Sequence, residues 1–302
     1  MDNELKKTSQ VIFVSTGGFS NSTAADVALD FESNNITSVE LSGGKYAPDL
    51  VERLEHLSKR LDFRVHNYFP PPIEPFVFNL ASADSDIAGL SIEHVKNSLH
   101  LANKLHSSVY SFHAGYCIDP KVKELGKSIT KKRLSDRGEA MDRFINRVLA
   151  LASEANNYGA KLLVENNVLS AKNLHSFGED PLLLTNPDEI QMFMNEMPKN
   201  VGLLLDVAHL KVSANSLDFC PIKAHQQLLP YICAYHLSDN DGTEDSNMPF
   251  DENAWFWSDL KTNLNYYSVE VYRISASKLR EQQKVVSGIL NKRKYHANID
   301  LK

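Results

Sequence analysis

Acidic and imidazole side chains recur in this sequence at the ends of short apolar runs. VELSGG carries Glu40, VHNYF carries His66, FHAG carries His113, and LLVENN carries Glu165. LLLDVAH carries Asp206 and His209, YHLSDND carries His236 and Asp239, and SVEVYR carries Glu270. Taken alone, Glu40 or His66 has an ordinary reading as a helix cap or a hydrogen-bonded core residue. The set is harder to explain that way. Several carboxylates gathered in one place repel and take up protons unless a cation neutralises them, so a divalent metal ion is the simplest resolution. Glu165, Asp206, His236 and Glu270 offer three carboxylates and one imidazole without a thiolate, a donor set that suits one Mn²⁺, Mg²⁺, Co²⁺ or Zn²⁺ ion.

Elements that could bring these groups together are legible in the hydrophobic pattern. Eight runs read as strands: Val11–Ser15, Ser38–Leu41, Phe63–His66, Val109–His113, Lys161–Glu165, Val201–Asp206, Ile232–His236 and Ser268–Val271. Segments of helical period alternate with them, among them Asp49–Leu61, Ile92–Leu105, Arg143–Asn157 and Pro187–Met197. Ser91 and the pair Asn186-Pro187 stand where helix starts are expected. Alternating strands and helices with nearly continuous apolar strands predict a parallel sheet covered by helices. Eight such units predict a closed (β/α)8 TIM barrel, expected as a single domain over residues 1–302. The turn Thr16-Gly17-Gly18 does not fit the Gly-rich dinucleotide pattern of an open doubly wound sheet. In a barrel all strands point one way, so the residues at their carboxyl ends share one mouth. The four ligands fall on successive strands roughly 30–40 residues apart, the length of one βα unit.

Two segments interrupt the rhythm after strand ends, the Lys-rich Tyr116–Asp136 and the acidic, turn-rich Asp239–Asn253. Loops in these positions line the catalytic face of a barrel and are expected to shape a pocket. A solvated surface loop is an equally good reading of the Lys-rich one. The aromatic residues Tyr68, Phe69, Tyr116, Trp255 and Trp257 have faces that can stack on a ring-shaped substrate, but for each one closing the barrel is the better reading.

Bulk composition limits the function classes. Hydrophobic residues make up 42% and charged residues 23%, enough for a core of ordinary size, and the formal net charge is −6. That balance disfavours a nucleic-acid partner. The cysteines, Cys117, Cys220 and Cys233, are widely spaced and form no CxxC pair, which fits a reducing compartment. With no signal-peptide core and no run long enough for a membrane helix, the expected location is cytoplasmic.

The motifs LLVENN, LLLDVAHL and YHLSDNDG, followed by SVEVYR, together resemble the xylose isomerase-like barrels. These include sugar epimerases, sugar-phosphate isomerases, inosose dehydratases and nucleases of the endonuclease IV type. The resemblance runs from strand 2 to strand 8. It implies that the metal is held by Glu165, Asp206, His236 and Glu270 and that His209 faces the substrate. For the sugar-isomerising members it implies proton transfer by Glu165 and Glu270 through a metal-stabilised cis-enediolate. His66 and His113 match histidines that hold a first metal in the nucleases, and here they are substrate-facing or second-metal candidates. Asn167, Lys211 and Arg273 complete the candidate substrate-binding set, the last two as partners for a phosphate.

One departure is informative. Sugar-isomerising relatives and nucleases carry a DxH pair after strand 7, whereas this chain reads Asp245-Ser246-Asn247. A neutral amide is a poor replacement for an imidazole zinc ligand, which weakens the case for a trinuclear nuclease site. The expectation is a metal-dependent sugar isomerase or epimerase in carbohydrate metabolism, acting on a small carbohydrate, with a homodimer as the candidate assembly. An endonuclease IV-like phosphodiesterase and an inosose dehydratase-like lyase are the alternatives.

Overall fold

A computed structural model describes residues 11–122 and 134–299, without the side chains of residues 294–299. Its strands are β1 (Ile12–Ser15), β2 (Ser38–Leu41), β3 (Asp62–His66), β4 (Val109–His113), β5 (Lys161–Glu165), β6 (Val201–Asp206), β7 (Ile232–Leu237) and β8 (Tyr267–Val269). They pair in parallel in sequence order, and β8 returns to β1 to close the barrel. The helices among the described residues are α1 (Ala24–Ser33), α2 (Leu50–Leu57), α3 (Ser85–Lys104), α4 (Arg137–Asn157), α5 (Ala171–Phe177), α6 (Pro187–Asn195), α7 (Val207–Leu217), α8 (Pro221–Leu228) and α9 (Ala276–Ile299). The (β/α)8 barrel expected from the strand and helix pattern is therefore the observed fold.

Side-chain alternation along the strands divides the core in two. The larger part lies between strands and helices, with Val164, Leu203, Leu205 and Tyr235 pointing outward into it. The smaller part fills the barrel with Phe13, Leu163, Leu204, Ala234 and Tyr266. Because the period is two, the inward residue that follows Leu163 is Glu165, that after Leu204 is Asp206, and that after Ala234 is His236. Each polar group thus stands one inward step above an apolar filler, at the mouth. The guanidinium of Arg64 lies within the same barrel layer, 4.7 Å from the centre of the Phe13 ring and 5.8 Å from that of Tyr266.

Most boundaries agree with the sequence reading, and the exceptions have local causes. Helix α3 begins at Ser85 rather than near Ile92, because Asp84 caps it by accepting from the backbone N–H groups of Asp86 and Ile87. Ser91 is an interior residue whose hydroxyl donates to the Ile87 carbonyl. Helix α4 likewise starts early, at Arg137, under an Asp136 cap, whereas Asn186 and Pro187 open α6 as expected. Helices α2 and α6 stop short of the predicted ends, at Leu57 and Asn195. Strand β8 ends at Val269, so Glu270 lies one residue past the ladder, held by its N–H bond to the Leu237 carbonyl. The acidic loop after β7 folds back on itself, Asp239 and Met248 exchanging backbone hydrogen bonds. Most of the Lys-rich segment falls at 123–133, outside the described residues. Among the described residues no helix is long and apolar enough to cross a membrane.

Candidate metal centre

The mouth of the barrel holds two overlapping groups of potential ligands. Donor atoms of Glu165, Asp206, His236 and Glu270 lie within 4.8 Å of one another, as do those of His66, His113 and Glu165. Glu165 belongs to both. Its Oε1 lies 3.1 Å from His236 Nδ1, and its Oε2 lies 3.3 Å from His66 Nε2 and 3.6 Å from His113 Nε2.

Local structure fixes each ligand. Asp206 ends β6 and caps α7, its Oδ1 accepting from the His209 N–H at 2.7 Å. That leaves Oδ2 buried, without a hydrogen-bond partner, and 3.9 Å from both His236 Nδ1 and His209 Nε2. Asn166 pins the Asp206 backbone from both sides, donating to its carbonyl and accepting from its N–H. Glu270 presents Oε2 to His236 Nδ1 at 2.8 Å, while its Oε1 accepts from the Tyr272 hydroxyl at 2.7 Å. His236 turns its other nitrogen, Nε2, to Glu40 Oε2 at 2.9 Å, and the Tyr266 hydroxyl donates to the same oxygen.

The electrostatics are those of crowded charge. Burial opposes ionisation of Glu165, but the imidazoles of His113, His236 and His66 outweigh it and hold its carboxyl well below the ordinary value. Burial also opposes a charged His236, yet Glu40, Glu165 and Glu270 raise it well above the usual imidazole range. Asp206 is pushed up to about 7 by burial, with the Glu165, Asp245 and Glu270 carboxylates adding to the effect and His209 opposing it. Glu40 goes the other way, to about 2, because His236 and then His66 outweigh its burial. Burial and Glu40 push the Tyr266 phenol well above its ordinary value, so it remains a donor.

Four buried carboxylate oxygens in this crowded set, Glu40 Oε1, Glu165 Oε2, Asp206 Oδ2 and Asp245 Oδ1, have no hydrogen-bond partner, and those of Glu165 and Asp206 belong to the candidate ligands. An unpaired carboxylate oxygen in such surroundings is costly. A divalent cation would satisfy the Glu165 and Asp206 oxygens, and the oxygen and nitrogen donors suit Mn²⁺, Mg²⁺, Co²⁺ or Zn²⁺.

The candidate substrate-binding residues divide. His66, His113 and His209 face the cluster. His209 donates from Nδ1 to the Asn166 carbonyl at 2.9 Å and directs Nε2 to Asp245 Oδ2 at 3.3 Å, so Asp245 joins the site while Asn247 is buried nearby in sequence at a positive φ of 45°. Asn167 does not reach the cluster by any hydrogen bond: its amide donates to the Ala114, Gly115 and Leu183 carbonyls. Lys211 bonds Asp239 Oδ1 and the Asn240 carbonyl, lining a separate hollow with Phe250, Asp251 and Trp255. Arg273 is exposed. Trp257 is buried and donates to the Asp251 carbonyl, a closing role. The sequence reading did not single out Tyr272, whose hydroxyl reaches the candidate ligand Glu270, or Tyr266, whose hydroxyl reaches Glu40, the partner of His236. An aromatic residue beside a strand-end acid was the available signal.

Comparison with known proteins places this geometry in context. Residues 30–273 match the family described as xylose isomerase-like TIM barrel. An uncharacterized protein of Methanocaldococcus jannaschii, MJ1614, is 24% identical over 208 residues, covering 68% of this chain and 66% of that protein. The chain thus spans just under two thirds of that relative. Among solved structures, a D-tagatose 3-epimerase-like protein superposes with a TM-score of 0.69 at 20% identity, covering 93% of this chain and 98% of its own. An L-ribulose 3-epimerase gives a TM-score of 0.70 at 14% identity over 96% of this chain and 97% of its own. At these identities the likeness to both is one of fold.

Proposed function

The chain belongs to the xylose isomerase-like TIM barrel family, and from that premise we propose that it is a divalent-metal-dependent isomerase or epimerase of a small sugar or sugar phosphate. The observation that carries the reading is the convergence of Glu165, Asp206, His236 and Glu270, from four strand ends, with donor atoms within 4.8 Å of one another. Structurally similar proteins that bear the names of sugar 3-epimerases support the substrate class.

Glu165, Asp206, His236 and Glu270 would hold the divalent cation, which would supply positive charge to acidify a proton on the carbon beside a substrate carbonyl, as a cis-enediolate route requires. Glu165 and Glu270 remove and return that proton, each with one carboxylate oxygen directed at His236 Nδ1, while Glu165 Oε2 faces His66 and His113 and Glu270 Oε1 faces Tyr272. Tyr272, donating to Glu270 Oε1, holds that carboxylate in place. His66, His113 and His209 line the space around Glu165 and orient substrate hydroxyls. Burial lowers His113 to about 4, so it meets substrate as a neutral imidazole able to accept or donate.

The test is exchange with solvent. The Mn²⁺-loaded protein, incubated with a panel of ketohexoses and pentuloses in D₂O, is expected to produce an isomer of unchanged elemental composition carrying deuterium at the reacting carbon. Product without deuterium contradicts removal and return of the proton by two carboxylates that exchange with solvent, and loss of water identifies a lyase. The His66, His113 and Glu165 group favours a second reading, a multi-metal phosphodiesterase of the endonuclease type. Three tightly bound zinc ions per chain with cleavage of abasic DNA would establish that reading in place of the first.

A further inference from the structure

Beneath the ligands lies a row of polar side chains to which the mechanism gives no chemical step. Glu40 comes from β2, Ser111 from β4, and Tyr266 immediately precedes β8; all are buried. Glu40 Oε2 receives His236 Nε2 at 2.9 Å and the Tyr266 hydroxyl. The Tyr266 oxygen lies 3.4 Å from Ser111 Oγ, and Ser111 Oγ lies 3.0 Å from His66 Nδ1. The row therefore joins the far sides of two imidazoles whose near sides both face Glu165.

We propose that Glu40 is a positioning residue for the metal centre: through direct contact with His236, and through Tyr266 and Ser111 to His66, it sets the direction of the hydrogen bonds so that both rings offer lone pairs toward Glu165. The inference rests on the metal-dependent reading of the site. An ionised carboxylate only accepts, so at its end of the row the direction is fixed. His236 must donate from Nε2, which leaves Nδ1 as the nitrogen for a cation among Glu165, Asp206 and Glu270. Tyr266 must also donate to Glu40, so its oxygen is left as an acceptor. Ser111 then donates to Tyr266 and accepts from His66 Nδ1–H. His66 Nε2 is consequently the unprotonated nitrogen, 3.3 Å from Glu165 Oε2. A lone pair and a carboxylate oxygen at that separation repel unless an electrophile, either a cation or a substrate hydroxyl proton, lies between them. Glu40 touches none of the reacting atoms in this scheme. It acts through the rings, as carboxylates behind metal-ligating histidines do.

Binding of Mn²⁺ alone, measured by calorimetry on the metal-free protein, tests the assignment without a substrate. Glu40→Leu removes the acceptor and is expected to weaken binding roughly 10–100-fold. Glu40→Gln keeps an acceptor oxygen in the same place and is expected to restore most of that affinity. Tyr266→Phe keeps the fold and frees the carboxylate to turn, and a loss of several-fold is expected, which keeps the test open if Glu40→Leu does not fold. Nitrogen-15 spectra of the histidine rings add a readout that a purely structural role would not move: in the metal-free wild type the neutral form of His66 is expected to carry its proton on Nδ1, and in Tyr266→Phe to be a mixture of tautomers. Wild-type affinity in both Glu40→Leu and Tyr266→Phe, or an Nε2–H His66 in the wild type, overturns the proposal. A wild-type protein that binds no divalent cation instead overturns the metal reading itself, so the two failures are distinguishable.

Discussion

The Tyr272 hydroxyl donates to Glu270 Oε1 at 2.7 Å, on the carboxylate whose other oxygen lies 2.8 Å from His236 Nδ1. Tyr272 is held there by the turn after β1. A Cβ built on Gly17 would collide with the Tyr272 hydroxyl, and one on Gly18 would press on its ring at 3.0 Å. Gly17→Ala is therefore expected to push the phenol off Glu270 and to lower kcat by about tenfold, the value of one hydrogen bond to a charged group. Tyr272→Phe should show the same loss, and the double variant no more than either alone. A fully active Gly17→Ala enzyme would show that this contact is dispensable.

Glu270→Gln keeps the shape of the side chain and removes its basicity. If Glu270 exchanges the substrate proton, turnover should fall by roughly 10²–10⁴-fold. The same variant should release a carbon-bound deuterium from labelled substrate at a correspondingly reduced rate. Retention of metal-dependent turnover would assign the proton transfer elsewhere.

Asp206 ties stability to pH in the metal-free protein. Its folded value is pushed up to about 7, from 3.8 in the unfolded chain, by burial and neighbouring carboxylates. Between those values the folded state binds more protons than the unfolded state, so Asp206's contribution favours folding at low pH and is lost as pH rises toward 7. Asp206→Asn, which retains the cap on α7, removes that dependence. Relative to wild type it is expected to gain on the order of a few kcal/mol between about pH 4 and about pH 8 in urea denaturation without metal. Added Mn²⁺ should erase the advantage, since the cation stabilises wild type most where Asp206 is ionised. Parallel pH profiles for the two proteins would contradict this account.

Asn167 separates scaffold from site. Its amide donates to three buried carbonyls, those of Ala114, Gly115 and Leu183, and bonds no ligand. Asn167→Ala should cost on the order of 2 kcal/mol in stability and leave Mn²⁺ affinity unchanged. A normal melting temperature with a raised KM would instead return Asn167 to the substrate.

The barrel was legible because apolar runs alternating with helical segments leave few other ways to bury both faces of a parallel sheet. The residues that gather at the mouth were legible for a related reason: an acid or imidazole ending an apolar strand, as at LLVE and LLLD, has no apolar purpose. What escaped the sequence depends on distance in the chain. Glu40 reads as one more strand-end acid, and only the closed barrel brings it to His236. Tyr266 reads as core, because its ring does fill the barrel beside Phe13 while its hydroxyl serves Glu40. Asn167 was grouped with the site by its place in LLVENN, yet it follows the inward Glu165 by two residues after the strand has ended, where alternation no longer dictates direction. The early start of α3 was hidden because Asp84 lies in a run of small and acidic residues in which several positions could cap.

Glu165 is shared by both ligand groups, with one oxygen toward His236 and the other toward His66 and His113. A single carboxylate cannot answer two occupants independently. Under the proposed metal-dependent reading, an occupant of the His66 side, a substrate oxygen or a second cation, would redistribute charge on the group proposed to hold the first ion, so each would change the other's affinity by the same factor. Titrations of metal and sugar against one another would then not be separable into two simple isotherms. The apparent affinity for either becomes a property of how full the other side is.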